Sequence, residues 1–315
     1  SNLEQIKQVS PREACGIKVF MGASTGDMHV DDHDALEDIF HHAPLVVATH
    51  CEDSPIIWEN EKYYKEKYGN DISVTLHPKI RSEEACFKSS SLAVDLAKKY
   101  NTKLHVLHLS TKKELDLFSK GDLKEKNITA EACVHHLWFD ESDYKELGNK
   151  IKCNPSIKSA IDRESLVHAV NDDIIDIIAT DHAPHTLEEK QQSYFSAPSG
   201  LPLVQHSLQM LFKQYEQGLF SLETIVDKAC HNPSRLFNIK DRGFLRENFC
   251  ADIVIVDPKK AYKISQQNLA YKCGWSPLEG VSMSASINMT ILNGKIAFKD
   301  GCLVTTPNGR ELEFN

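Results

Sequence analysis

Short apolar runs alternate with segments of helical spacing along most of the chain. The runs are rich in Val, Ile and Ala and predict strands at residues 17–20, 45–49, 104–107, 128–133 and 174–179. Helices are predicted at residues 83–100, 112–120, 162–171, 201–215 and 222–232. Apolar strands separated by helices indicate a parallel sheet covered on both faces. The sequence therefore predicts a (β/α) barrel or a doubly wound sheet.

Reactive residues at the ends of the predicted strands favour the barrel. His50, His108 and Asp181 each follow one of these strands. The carboxyl ends of the strands of a (β/α) barrel converge on one site, so reactive side chains are expected at several of them. A doubly wound nucleotide-binding sheet would carry a Gly-rich turn after its first strand, and the sequence has neither GxGxxG nor GxxxxGKS/T.

The pattern changes after about residue 245. Residues 251–257 and 286–299 alternate or run apolar, and the Asn-Gly pair at 293–294 signals a hairpin turn. We therefore predict an α/β chain with two parts. Residues 1–245 form a partial TIM-like (β/α) barrel with about five of the eight strands, and residues 246–315 form part of a small β-sandwich domain.

Composition and charge narrow the classes of function. Of 315 residues, 41% are apolar and 26% charged, so the chain can bury a sizeable core. The 36 Lys and Arg against 45 Asp and Glu give a net charge of −9, which argues against nucleic acid and anionic membrane surfaces as partners. The 9 cysteines are scattered without a CxxC, which indicates reduced thiols and a cytoplasmic protein. A small-molecule substrate is the expected partner.

His50, His108 and Asp181 together form a candidate metal-binding set. Imidazole nitrogens and a carboxylate suit zinc, manganese, cobalt or iron. Such an ion activates water and polarises a carbonyl, which indicates hydrolytic chemistry, and Asp181 could also move the proton of that water. The alternative is a buried hydrogen-bond network of the same side chains without a metal.

Lys18 stands inside an apolar strand, where an unpaired ammonium would be costly to bury. One interpretation is a side chain that faces outwards at the strand end. The other is a buried, deprotonated lysine that reacts with carbon dioxide. The resulting carbamate would present two oxygens that can bridge two metal ions.

Several motifs match a known family. They are Gly16-Ile-Lys-Val-Phe20, Thr49-His-Cys-Glu-Asp53, Leu107-His-Leu-Ser110, Lys152-Cys-Asn-Pro155, Thr180-Asp-His-Ala-Pro-His185 followed by Thr186-Leu-Glu-Glu-Lys190, and Asn232-Pro-Ser-Arg-Leu-Phe237. With them, the chain resembles the dihydroorotases of the cyclic amidohydrolase superfamily, close to the bacterial class I forms, over essentially its whole length. The Thr-Asp-His-Ala-Pro-His motif is the most specific of the set.

The resemblance implies a metal-dependent cyclic amide hydrolase of pyrimidine biosynthesis that interconverts N-carbamoyl-L-aspartate and L-dihydroorotate. It implies two zinc ions in a complete site. His50 and His108 would bind the more exposed ion, and Asp181 would bind the other and act as the catalytic proton shuttle. A carboxylated Lys18 would bridge the two ions.

The resemblance also implies the residues that hold the substrate. Asn154, His185 and the backbone of Ser199 and Gly200 match positions that bind the pyrimidine in the family. His185 could donate a hydrogen bond to the substrate carboxylate. Ordinary turn chemistry is the alternative for Asn154 and for the Pro-Ser-Gly segment.

A pair of histidines, His135 and His136, ends the strand predicted at 128–133. The family often has a histidine pair at this place. We assign neither of them as a metal ligand. A role in supporting the ligands and a role in simple packing remain as the two interpretations.

One family motif is missing from the sequence. The family's first strand ends in His-x-His, followed closely by an arginine for the substrate carboxylate, and no such His-x-His-x-Arg motif precedes Lys18. With five strands in place of eight, this predicts an incomplete, inactive fragment that binds at most one metal ion. The open sheet edges would then need a second copy of the chain, rearranged elements or a missing N-terminal segment to cover them.

Two further functions stay open at this point. An allantoinase or hydantoinase would share the barrel and the metals. A catalytically inactive homologue could instead act as a scaffold for another enzyme of the pathway.

Overall fold

Five parallel strands form the main sheet of the computed structural model, which describes residues 2–22, 30, 32–304 and 309–315. They pair in the order β1-β2-β3-β4-β5. The strands are β1 (Ile17–Gly22), β2 (Val47–Glu52), β3 (Leu104–Val106), β4 (Ile128–Cys133) and β5 (Ile177–Ala179). Each strand pairs with the next one along the chain, as in a (β/α) barrel, whereas a doubly wound sheet reverses its order at a switch point.

One helix precedes these strands, and the others connect or follow them. They are α1 (Leu3–Lys7), α2 (His33–His42), α3 (Ser54–Tyr68), α4 (His77–Ile80), α5 (Glu83–Tyr100), α6 (Tyr144–Leu147), α7 (Ala160–Asn171), α8 (Leu187–Lys190), α9 (Ser207–Glu216), α10 (Leu222–Val226) and α11 (Asn232–Leu236). Helix α5 has the predicted bounds and packs on β2 and β3. The Ser82 side chain caps its first turn by accepting from the Ala85 N–H at 3.3 Å, and Asn101 ends it in the left-handed conformation at φ 54°.

Three of the predicted helices differ in the structure. Residues 112–120 contain only a 3₁₀ turn at Lys113–Leu117, because the buried Glu114 accepts hydrogen bonds from neighbouring hydroxyls instead of facing solvent. Helix α9 begins six residues late, at Ser207, because Leu201 forms a β-bridge with His182. The helix expected at 222–232 passes through a π-turn at Asp227–His231.

The chain after the helices folds into antiparallel sheets. Strands β6 (Ile253–Asp257), β9 (Ser286–Leu292), β10 (Lys295–Lys299) and β11 (Cys302–Leu303) pair in the order β11-β10-β9-β6, and β7 (Tyr262–Lys263) pairs with β8 (Ser282–Met283). Asn293 and Gly294 link β9 to β10 with φ values of 49° and 76°, the conformation that an Asn-Gly hairpin turn requires. The predicted α/β architecture with a small C-terminal β region is thus present, while the boundary at residue 245 stays a prediction.

The core lies between the parallel sheet and its covering helices. Val47, Leu104, Val106 and Ala130 in the central strands have no exposed surface. Strands of this kind, apolar on both faces, are typical of a sheet with helices on its surface. Within the described ranges, none of the helices combines the length and the apolar character needed to cross a bilayer.

Candidate metal and substrate site

The carboxyl ends of the strands carry the candidate site, and two of its residues have an unusual backbone. His50 lies within β2, where it pairs with Phe20 of β1. His108 follows β3 with φ 40°, and Asp181 follows β5 with φ 41°. A left-handed conformation in a non-glycine residue is unfavourable, by about 1–3 kcal/mol, and tends to occur at functional sites. In both cases the left-handed residue lies just after the carboxyl end of its strand, on the same side of the sheet.

His50 and His108 face each other through their ring nitrogens. Nδ1 of His50 lies 3.2 Å from Nε2 of His108, and the ring planes meet at 76°. Two nitrogens bound to one tetrahedral zinc at ~2.0–2.1 Å stand about 3.3 Å apart. The two histidines therefore already have the spacing of two ligands on one ion. Both are buried.

A buried carboxylate lies behind His50. Oε2 of Glu52 is 3.1 Å from Nε2 of His50 and also contacts Nη1 of Arg81. Burial alone raises the pKa of Glu52, but the charge of Arg81, the close contact with His50 and the charges of His50 and Lys158 outweigh it and bring it to about 2. An anion at this place favours a proton on Nε2 of His50, which leaves the Nδ1 lone pair directed at His108.

Burial by the surrounding protein, with smaller contributions from the charges of His50 and Lys18, lowers the pKa of His108 well below its usual range. Its ring is therefore neutral at pH 7, as a metal ligand requires. Nδ1 of His108 is buried and has no hydrogen-bond partner among the described residues. The donor set thus fits a metal ion better than it fits a closed hydrogen-bond network, in which every buried ring nitrogen would be paired.

Lys18 lies on β1 and Asp181 follows β5, the two outermost strands of the described sheet, and both residues are exposed. Desolvation by nearby protein atoms lowers the pKa of Lys18, against the charges of Asp181 and Glu131, which raise it. In the described part of the chain, no carboxylate, thiol or third imidazole lies within 4.8 Å of both His50 and His108. Asp181 therefore does not complete the pair. The outward-facing interpretation of Lys18 describes its position in this structure.

The structure brings the substrate candidates His185, Ser199 and Gly200 together. Nε2 of His185 donates to the backbone O of Ser199 at 3.2 Å. Gly200 has φ 145°, and a Cβ there would meet the backbone O of Ala183 at 2.4 Å. Only glycine allows this close approach of the two loops. Trp275 also binds the loop that carries His185, because its Nε1 donates to the backbone O of His185 at 2.8 Å.

Asn154 begins the neighbouring loop, directly before a cis-proline. Its Oδ1 is buried and has no hydrogen-bond partner among the described residues. An unsatisfied side-chain oxygen is not what ordinary turn chemistry produces, since an asparagine in a turn hydrogen-bonds to its own backbone. The position is therefore compatible with an amide that binds a substrate.

A buried lysine that sequence reasoning did not single out holds these loops together. Nζ of Lys190 donates to the backbone oxygens of Lys152, Pro198 and Gly200 at 3.0, 2.8 and 3.0 Å. Burial lowers its pKa to about 7. In the sequence, only the Leu-Glu-Glu-Lys segment after the Thr-Asp-His-Ala-Pro-His motif pointed to Lys190. Its hydrogen bonds to three backbone oxygens could not be predicted, because they depend on how separate loops pack together.

Comparison with known proteins identifies the family. Residues 34–297 match the amidohydrolase family. The chain belongs to this family. The dihydroorotase of Methanosphaera stadtmanae is 30% identical over 303 residues, which cover 94% of this amidohydrolase and 67% of the relative. The dihydroorotase of Pyrococcus horikoshii is 32% identical over 302 residues, covering 96% and 65%. The resemblance to dihydroorotases is thereby confirmed.

Solved structures confirm the fold. The L-hydantoinase of Arthrobacter aurescens superposes with a TM-score of 0.89 at 23% identity, over 97% of this amidohydrolase and 69% of that chain. The D-hydantoinase of a Thermus species superposes with a TM-score of 0.83 at 20% identity, over 92% and 66%. These are (β/α)-barrel amidohydrolases, so the predicted partial barrel is correct. The chain spans about two thirds of the length of the curated relatives that it matches.

Proposed function

We propose that the protein is a dihydroorotase, a metal-dependent cyclic amidase that interconverts N-carbamoyl-L-aspartate and L-dihydroorotate in pyrimidine biosynthesis. The observation that carries the proposal is the pair of buried histidine nitrogens 3.2 Å apart at the strand ends, in a chain whose relatives are dihydroorotases. Metal dependence is general in the amidohydrolase family. Zinc as the native ion is part of the proposal.

In a complete site, His50 and His108 would hold one zinc ion and Asp181 the second, and a carboxylated Lys18 would bridge the two. Bound zinc lowers the pKa of water towards neutrality and polarises the ring carbonyl. Glu52 and Arg81 keep the Nδ1 lone pair of His50 directed at the ion, since the Glu52 carboxylate stays ionised down to about pH 2.

Asp181 would move the proton. Desolvation by nearby protein atoms raises the pKa of its carboxyl group above the usual range, against the charge of Lys18, which lowers it. A raised pKa makes the carboxylate a better proton acceptor at neutral pH. In the hydrolytic direction Asp181 would accept the proton of the attacking water and pass it to the leaving ring nitrogen.

The loops around His185 would bind the pyrimidine. His185 would donate to the substrate carboxylate, while Asn154 and the backbone of Ser199 and Gly200 would bind the ring amide groups. This assignment is supported by the position of the loops, which Lys190 and the close packing at Gly200 hold against one another.

The test is a substrate panel on zinc-loaded protein expressed from its complete reading frame, with the 315-residue chain alone beside it. We expect hydrolysis of L-dihydroorotate to exceed that of hydantoin, dihydrouracil and allantoin in the former, and negligible turnover in the latter. His50→Ala should abolish turnover and reduce bound zinc. Faster hydrolysis of hydantoin or allantoin would contradict the proposed substrate. Tight zinc binding without any turnover would indicate the inactive scaffold.

A further inference from the structure

A second group of side chains that could hold a metal ion lies at the carboxyl end of β4, and it includes neither His50 nor His108. It consists of Cys133, the last residue of β4, and of His135 and His136 in the turn that follows. One ligand atom from each lies within 4.8 Å of the other two. All three residues are buried, with exposed fractions of 0%, 1% and 3%. We call these residues the β4 cluster.

Both histidines of the β4 cluster have ring nitrogens that lack a partner. Nε2 of His136 donates to the backbone O of Pro155 at 3.1 Å, which leaves Nδ1 as the nitrogen with the lone pair. This Nδ1, and both nitrogens of His135, are buried without a hydrogen-bond partner in the described ranges. Buried polar atoms are nearly always satisfied, so three unpaired nitrogens beside one thiol indicate that an ion or water satisfies them.

The protonation states suit a metal ion. Burial, followed by the charge of the other histidine, lowers the pKa of His135 well below its usual range, and burial lowers that of His136 to about 4. Both rings are therefore neutral at pH 7 and offer lone pairs. Burial, together with the charges of Glu131 and Asp181, raises the pKa of the Cys133 thiol, so the thiol keeps its proton unless a cation displaces it.

We propose that Cys133, His135 and His136 bind a thiophilic divalent ion of the zinc class, at a site separate from the one formed by His50 and His108. Two nitrogens on tetrahedral zinc stand about 3.3 Å apart, and a nitrogen and a sulfur about 3.5 Å, so binding needs the ligand atoms to approach one another by at most about 1.5 Å. Binding releases the Cys133 proton to solvent. One thiolate, two neutral imidazoles and a water complete the coordination, with a net charge of +1.

The hydrogen bond from His136 to Pro155 connects this site to the loop that carries Asn154. A metal-ligating histidine commonly donates its other ring N–H to a backbone oxygen, which fixes the orientation of the ring. Here that oxygen belongs to the residue after Asn154. The ion would therefore fix the turn after β4 relative to the loop that carries Asn154.

Sulfur provides a signal that separates the two sites. His50, His108, Asp181 and Lys18 have no sulfur atom, so a metal–sulfur bond that depends on Cys133 reports the β4 cluster. The experiment titrates metal-free protein with Co²⁺ and records the thiolate-to-cobalt charge-transfer absorption in the near ultraviolet. We expect this band in the wild type and in His50→Ala, and its loss in Cys133→Ser.

Cys153→Ser is the matched control, because Cys153 is also buried and its Sγ contacts the backbone O of Pro155 at 3.3 Å. The band should survive this substitution. Absence of the band in the wild type would show that the nitrogens are satisfied by water. A band that persists in Cys133→Ser, or disappears in Cys153→Ser, would also overturn the proposal.

A second measurement covers the case in which Cys133→Ser does not fold. X-ray absorption on a zinc-loaded variant with serine at the exposed cysteines Cys15, Cys230 and Cys302 should show a Zn–S distance of ~2.3 Å. A zinc environment of nitrogen and oxygen alone in that variant would overturn the proposal.

Discussion

Replacing Arg81 by methionine should destabilise the protein by an amount that depends on pH. The side chain of Glu52 has no exposed surface, and Arg81 supplies its main counter-charge. Removing one partner of a buried ion pair costs about 3–5 kcal/mol. The pKa of Glu52 sets a similar scale, since its decrease from 4.5 to about 2 corresponds to about 3 kcal/mol at ~1.4 kcal/mol per pKa unit.

The sign of the pH dependence follows from the two protonation states of Glu52. In the wild type its pKa lies below that of the unfolded chain, so its contribution to stability is complete above about pH 5 and is lost as the pH falls towards 2. In Arg81→Met burial dominates and raises the pKa, so Glu52 takes up a proton as the pH falls. The stability difference between the two proteins should therefore narrow to about 1–2 kcal/mol near pH 4.

Urea unfolding followed by circular dichroism at several pH values from 4 to 8 measures this difference, and urea adds no ions that would screen the pair. Lys120→Met is the control, because Lys120 pairs with Asp172 at 2.8 Å with both side chains more than half exposed. An exposed pair contributes at most about 1 kcal/mol. A loss for Arg81→Met that is equal at pH 4 and pH 8, or no larger than that of the control, would refute the reasoning.

Three further substitutions test the proposed site. Asp181→Asn should abolish turnover of L-dihydroorotate while leaving the unfolding midpoint unchanged, because an amide cannot accept the proton; near-normal kcat would contradict this role. His185→Ala should raise KM and lower kcat through loss of a carboxylate contact, and steady-state kinetics showing an unchanged KM would argue against it. Gly200→Ala should cost more than 1 kcal/mol in urea unfolding, because its Cβ would lie 2.4 Å from the backbone O of Ala183; a wild-type midpoint would contradict the observed packing.

The strand ends and the pairing of His50 with His108 were accessible from sequence, because both depend on local patterns. An apolar run followed by a histidine predicts a strand end, and the barrel rule places successive strand ends side by side. The order of the strands is then enough to predict that His50 and His108 are neighbours, as the 3.2 Å contact shows. Helix α5 was equally accessible, since its small apolar residues repeat at helical spacing and Ser82 supplies a cap.

Contacts that depend on where distant side chains meet were not accessible. Glu52 and Arg81 are 29 residues apart and pair only because the turn after α4 returns to the end of β2. Helix α3 was also not predicted, but here the local sequence pattern itself was missing. Its residues are mostly charged or aromatic and exposed, and it buries only Ser54 and Ile57, so no apolar stripe marks it.

The order of the strands has a consequence for synthesis on the ribosome. Each strand of the parallel sheet pairs with the strand made just before it, from β1 through β5. A strand that emerges from the exit tunnel therefore finds its partner already present, and it does not wait for a segment that is translated later. At each moment the last strand made exposes one edge, which the next strand covers. Slow translation between strands would thus assist folding of this chain and would not leave unpaired strands to aggregate.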